Sequence, residues 1–129
     1  MMTLHRLTLL VRDYDEAIAF YVEKLGFLKT ADDNWGDGFR WVTVAPHSGA
    51  LELVLSLASD PTLAALVGKQ AGYLPLFALQ TDNCWLSYEQ LKQNGIRFNN
   101  EPRETFYGVE TSFTDIYGNI ISLIEPVKS

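Results

Sequence analysis

The chain has 129 residues and a formal net charge of −6, with 47% hydrophobic and 20% charged residues, proportions ordinary for one soluble globular domain. The acidic balance argues against nucleic acid or an anionic membrane surface as a main partner, and no apolar run approaches the ~20 residues of a membrane span. The single cysteine, Cys84, excludes an intrachain disulfide and any cysteine-based zinc cluster, and it fits a reducing cytoplasm.

Residues 3–11 read as a first strand rather than a signal peptide, because no basic segment precedes them and a helix cap follows at once. Leu7, Leu9 and Val11 share one parity; Arg6, Thr8 and Leu10 share the other. Alternate residues face opposite sides of a sheet, so the apolar set is expected to meet a helix layer and Arg6 and Thr8 the other side. Residues 13–27 read as one helix. Asp13 caps it, Asp15 and Glu16 place negative charge where the helix dipole favours it, and Gly26 ends it. Ala17, Ile18, Tyr21 and Leu25 form its apolar stripe.

Residues 27–31 are expected as a short strand, and 32–38, dense in Asp, Asn and Gly, as a loop. Strands follow at 39–44 and 51–56. In the latter, Glu52, Val54 and Ser56 face away from Leu51, Leu53 and Leu55. Asp60-Pro61 opens a short linking helix over 62–67. The pattern then repeats. Residues 74–81 make a strand, and Asn83 caps a helix over 83–94 whose apolar face carries Trp85, Tyr88 and Leu91 before Gly95 stops it. A brief strand at 98–99, another at 109–114, a turn at 115–119 and a buried strand at 120–125 complete the chain. The reading is a single α+β domain of two βαβββ modules, residues 1–57 and 73–129, joined by a linker at 58–72. One face of each sheet receives a helix. The other needs a second sheet, a partner subunit or a ligand.

Several of these landmarks, taken in order, resemble the vicinal oxygen chelate superfamily, which includes glyoxalase I, bleomycin-resistance proteins and extradiol dioxygenases. They are Val11-Arg12-Asp13, Phe20-Tyr21, Leu25-Gly26-Phe27, Glu52-Leu53, Thr81-Asp82-Asn83, the segment 91–95 and Asp115-Ile116-Tyr117-Gly118-Asn119. The resemblance implies paired, curved mixed sheets around a cavity with helices outside, often completed by dimerisation. It also implies that enzymes of the group hold a divalent metal with His and Glu side chains. Of the four corresponding positions only Glu52 keeps a ligand. Seven residues before Asp13 stands Arg6, the matching position of the second module is Leu76, and four residues after Gly118 stands Ser122. Arginine is permanently charged and leucine has no lone pair to give. A slip of one residue would bring His5 to the place of Arg6, but it would also flip the strand's faces. Even then two protein ligands are fewer than the about three usual in a catalytic metal site. No metal or other cofactor is therefore expected, although a divalent ion stays open through His5.

The candidate ligand-binding residues are Arg6, Thr8, Glu52, Trp35, Trp41, Tyr107, Glu110 and Ser122. Arg6 can clamp an anionic group as a planar fork, or simply pair with Glu52. Glu52 can accept a ligand hydrogen bond or act as a catalytic base. The aromatic residues supply rigid apolar contact at a pocket mouth, or else core or interface packing. Cys84, at a helix start, is read as a small buried hydrophobe. No GxSxG, P-loop or GxGxxG motif occurs. The favoured function is a metal-free protein that binds a small organic molecule, working as a cytoplasmic homodimer without nucleic-acid or membrane partners. The alternatives are an enzyme, either metal-dependent (a lyase, isomerase or dioxygenase) or using Glu52 as base, and a scaffold whose cavity has closed. Arg6 favours an anionic group on the ligand and the negative net charge a cationic one, so polarity stays open.

Overall fold

A computed structural model of the chain describes residues 1–128. The backbone forms two compact units, Met1–Val67 and the remainder from Gly68 onward. Each unit carries one four-stranded mixed sheet.

In the first unit the strands are β1 (Arg6–Val11), β2 (Leu28–Gly36), β3 (Phe39–Ala45) and β4 (Glu52–Leu57), in the spatial order β1-β4-β3-β2. β1 and β4 run parallel, with Arg6 opposite Glu52, Leu7 opposite Leu53 and Leu9 opposite Leu55. A parallel pair needs a crossover, and helix α1 (Tyr14–Ile18) lies in it. The Asp13 carboxylate accepts the Glu16 N–H at 2.8 Å, which satisfies one of the helix's orphan donors. The expected single helix is instead α-helical only to Ile18 and π-helical over Ala19–Lys24. The wider turn lets neighbouring Phe20 and Tyr21 both be buried, their rings edge to face at 5.0 Å. Leu9, Val11, Val42, Val44, Leu53 and Leu55 form the core beside Ala17, Phe20 and Tyr21. Each fully buried side chain of this kind contributes about 1.5–3 kcal/mol.

The loop expected at residues 32–38 is mostly strand, because β2 continues to Gly36 and only Asp37-Gly38 turns. Both turn residues have positive φ, 55° and 83°, the two-residue hairpin geometry that follows the twist of the strands. The acidic residues stay in the strand because they are held there. Arg40 grips Asp32 with two hydrogen bonds, 3.1 and 2.7 Å, and reaches Asp15 of α1 at 2.8 Å. It also lies over the Tyr14 ring, 5.2 Å from its centroid. β2 carries two bulges, one at Thr30 and one at Trp35, each adding a residue to the ladder with β3. Beyond β4, Asp60 caps a helix α2 (Pro61–Ala64), shorter than the expected 62–67.

The second unit repeats the plan with β5 (Pro75–Gln80), α3 (Cys84–Gln93), β6 (Arg103–Thr105), β7 (Gly108–Thr114) and β8 (Ile120–Pro126), in the order β5-β8-β7-β6. The strand expected at 98–99 reduces to one bridge from Phe98 to Phe113, and β6 lies after Pro102 instead. Asn83 caps α3 as expected, but the buried positions of the helix are Cys84 and Tyr88, while Trp85 is exposed. The turn before β8 is organised by buried Asp115, whose Oδ1 accepts the Tyr117 and Asn119 N–H groups, both at 2.9 Å. Among the described residues no helix is long and apolar enough to cross a membrane.

Candidate functional site

The face of the first sheet turned away from α1 carries Arg6 and Thr8 of β1, Glu52 and Val54 of β4, and Trp41 and Thr43 of β3. The register places Arg6, not His5, opposite Glu52. Arg6 Nε donates to Glu52 Oε1 at 2.9 Å, and its guanidinium lies 5.4 Å from the Trp41 ring centroid. Trp35 stacks on Trp41, with centroids 5.6 Å apart and planes 10° from parallel. Trp35 is 68% exposed, so the outer face of this stack meets solvent.

The other end of the row was not legible from the sequence. The bulge in β2 turns Thr30 onto this face, where its hydroxyl lies 2.6 Å from that of buried Thr43. Either hydroxyl can supply the proton between them. Thr30 beside it, and then Arg6, hold the Glu52 carboxyl below the usual carboxylate range. The result is one continuous row: Thr43, Thr30, Glu52, Arg6, Trp41, Trp35.

In the second unit, Tyr107 lies in the turn between β6 and β7 and donates through its hydroxyl to Glu110 Oε1 at 2.5 Å. That hydrogen bond pushes the Tyr107 phenol above its ordinary pKa. Arg103 approaches the same oxygen at 3.4 Å. Ser122 stands opposite Ala78 on one side and Ser112 on the other. Ser112 accepts from Asn99 Nδ2 at 2.9 Å. Pro75, Asn100, Arg103, Glu110, Ser112 and Ser122 border a depression of about 150 Å³. Phe106, beside Tyr107, is almost wholly exposed.

The residues at the positions where the superfamily's enzymes hold a metal do not suit a divalent cation. In the first unit Arg6 brings a fixed positive charge and occupies the one carboxylate, Glu52. In the second, Leu76 has no donor and Ser122 offers a neutral hydroxyl, a weak ligand. Among the described residues no three His, Cys, Asp or Glu side chains converge. Cys84 is buried, and burial, then Glu125, pushes its thiol pKa up, the reverse of an activated cysteine.

This architecture of two βαβββ-built sheets has clear counterparts. Residues 3–123 match the family model of the Glyoxalase/Bleomycin resistance protein/Dioxygenase superfamily, and the chain belongs to that superfamily. An uncharacterized protein of Shewanella frigidimarina is 40% identical over 121 residues, covering 92% of this chain and 90% of the relative. Among solved structures, UcmS2 is 36% identical with a TM-score of 0.84, covering 96% of this chain and 98% of the other. TnmS3, described as an antibiotic binding protein from Streptomyces sp. CB03234, is 31% identical with a TM-score of 0.81, covering 98% of both chains.

Proposed function

We propose that this chain binds a small planar organic molecule and does not transform it, and that the ligand lies against Trp35 and Trp41 with its polar edge at Arg6 and Glu52. The observation that carries this reading is the open, parallel indole stack continuous with an ion pair. Stacked aromatic rings offer rigid apolar area at little entropic cost, and few well-placed polar groups then fix orientation. The likeness to TnmS3 over nearly the whole chain supports it further. In this reading Glu52 is an acceptor. A carboxylate already hydrogen-bonded by Arg6, and held below its ordinary pKa, is a poor proton acceptor near neutrality. Thr8 flanks the ion pair, and Tyr107, Glu110 and Ser122 form a second polar contact group.

The reading includes a homodimer in the cytoplasm, without a divalent metal at Arg6 and Glu52. The free Cys84 and the exposed Leu4, Leu28, Tyr73 and Leu74 support the first two points, and the donor chemistry supports the third. Light scattering is expected to give twice the chain mass, and Mn²⁺ or Zn²⁺ to leave the Tm unchanged.

Tryptophan fluorescence tests the function directly. Titration of the protein with a panel of planar aromatic metabolites and antibiotics is expected to quench the indoles saturably for at least one compound. Trp35→Ala is expected to weaken that compound by about 5–100-fold, the worth of one aromatic contact in a partly buried site. Silence across the panel, or an unchanged Kd in Trp35→Ala, overturns the reading.

A further inference from the structure

We infer that the ligand is electrically neutral and presents a hydrogen-bond acceptor and a donor side by side toward Arg6 and Glu52, as a primary carboxamide or a lactam does. This rests on the reading of the Trp35–Trp41 face as the binding surface. It settles the ligand polarity that residue types alone leave open.

The ion pair leaves part of its hydrogen-bonding capacity unused. Arg6 gives Nε to Glu52, and among the described residues its two terminal nitrogens make no hydrogen bond. Its side chain is 42% exposed, so that edge is reachable. Glu52 receives a hydrogen bond from Arg6, yet a carboxylate has ~four acceptor sites. Its side chain keeps 17% of its surface exposed. Donors and acceptor sites therefore stand next to each other, at one end of an indole stack.

Charge decides which ligand fits. The ion pair sums to zero, so a ligand anion attracted to Arg6 meets the Glu52 carboxylate at nearly the same range. A ligand cation has the converse problem with Arg6. Either would also lose its hydration without a full counter-charge in return. A neutral carboxamide edge engages both partners at once: its carbonyl accepts from the guanidinium and its N–H donates to the carboxylate. Both new bonds have one charged member, the stronger kind of hydrogen bond. The Arg6 hydrogen bond holds the carboxylate in place before the ligand arrives, which lowers the ordering cost of binding.

The test uses three probes with the same ring: 2-naphthamide, 2-naphthoate and 2-naphthylmethylammonium, titrated calorimetrically into the full chain. Ring contact is common to all three, so differences report the polar edge. The amide is expected to bind at least about tenfold more tightly than either ion, in the range by which polar sites reject mismatched groups. In Glu52→Gln, which uncovers the Arg6 charge, 2-naphthoate is expected to overtake the amide. In Arg6→Gln, which uncovers Glu52, the ammonium probe is expected to do so. Thermal melts establish that each variant is folded, and either variant alone suffices. An ion that equals or beats the amide in the unaltered protein overturns this inference and leaves the binding surface standing. Preferences that do not move in a folded variant also overturn it. No binding of any probe overturns both the inference and the reading beneath it.

Discussion

Trp35 and Trp41 lie nearly parallel at 5.6 Å although they belong to neighbouring strands whose direct pairing sets Trp41 opposite Asp33. The stack exists because Trp35, two residues beyond Asp33, shares that residue's face of the strand and so meets Trp41 on the diagonal. Two indoles at this distance couple electronically, so the far-ultraviolet circular dichroism should carry a tryptophan couplet. Trp35→Ala is expected to abolish it. The same variant should change stability by no more than about 1.5 kcal/mol, since it loses one aromatic pair at an exposed position. A couplet that survives would mean the rings are apart in solution.

Acid sensitivity is expected to run through Asp32. Its hydrogen bonds to Arg40, and then to Lys29, lower its pKa from 3.8 to about 2. The folded pKa is depressed, so the contribution is complete above the unfolded value and is lost as pH falls through the folded one. The window is therefore roughly pH 4 to pH 2. With the carboxylate mostly covered, the contribution is at most about 2 kcal/mol and smaller after solvent screening. Melting curves of the protein and of Asp32→Asn should differ near neutrality and converge as pH approaches 2. A constant gap down to pH 2 would contradict the assignment.

Gly108 is expected to be intolerant of substitution. It opens β7 with φ of 139°, where a side chain is strained, and an added Cβ would collide with the Glu125 carbonyl of β8. Gly108→Ala should cost about 1–3 kcal/mol from backbone strain, plus the cost of displacing β8. Urea unfolding measures it. Gly38→Ala, also at positive φ but with open space around the new methyl, should cost less.

Much of the fold was legible because it rests on local signals. Asp13, Asp60 and Asn83 cap helices as their side-chain chemistry predicts, with carboxylate or amide oxygens 2.8–3.0 Å from the capped N–H groups. Alternation in β1 and β4 placed Arg6 and Glu52 on one face, because a sheet has a period of two. The failures come where a tertiary contact overrides composition. Residues 32–36 look like a loop, yet Arg40, eight positions beyond Asp32, holds them extended. The true turn, Asp37-Gly38, lay inside that stretch and carried the usual hairpin signal. On α3 the helical period was right and Tyr88 turns inward as expected, but Cys84 takes the inward place beside it while the larger Trp85 stays outside.

The site divides the same way. Arg6 and Glu52 stand out by residue type and parity, and the two indoles by residue type alone. Thr30 does not, because a threonine in a strand is common and nothing local marks where a bulge will fall. A signal was present only in comparison. The stretch between Leu28 and Gly36 has two more residues than the β3 segment it pairs with requires, and that excess is visible once the hairpin turn is fixed.

Those two surplus residues, Thr30 and Trp35, both reach the polar-aromatic row, and neither is needed to keep the remaining pairs of the ladder in step. Removing one codon at either place would take a side chain out of that row and straighten the strand, while every other partner across the hairpin stays where it was. The exposed row can therefore change by single-residue deletion or duplication within an element that folds as before, without rewriting the core-facing half of the sheet.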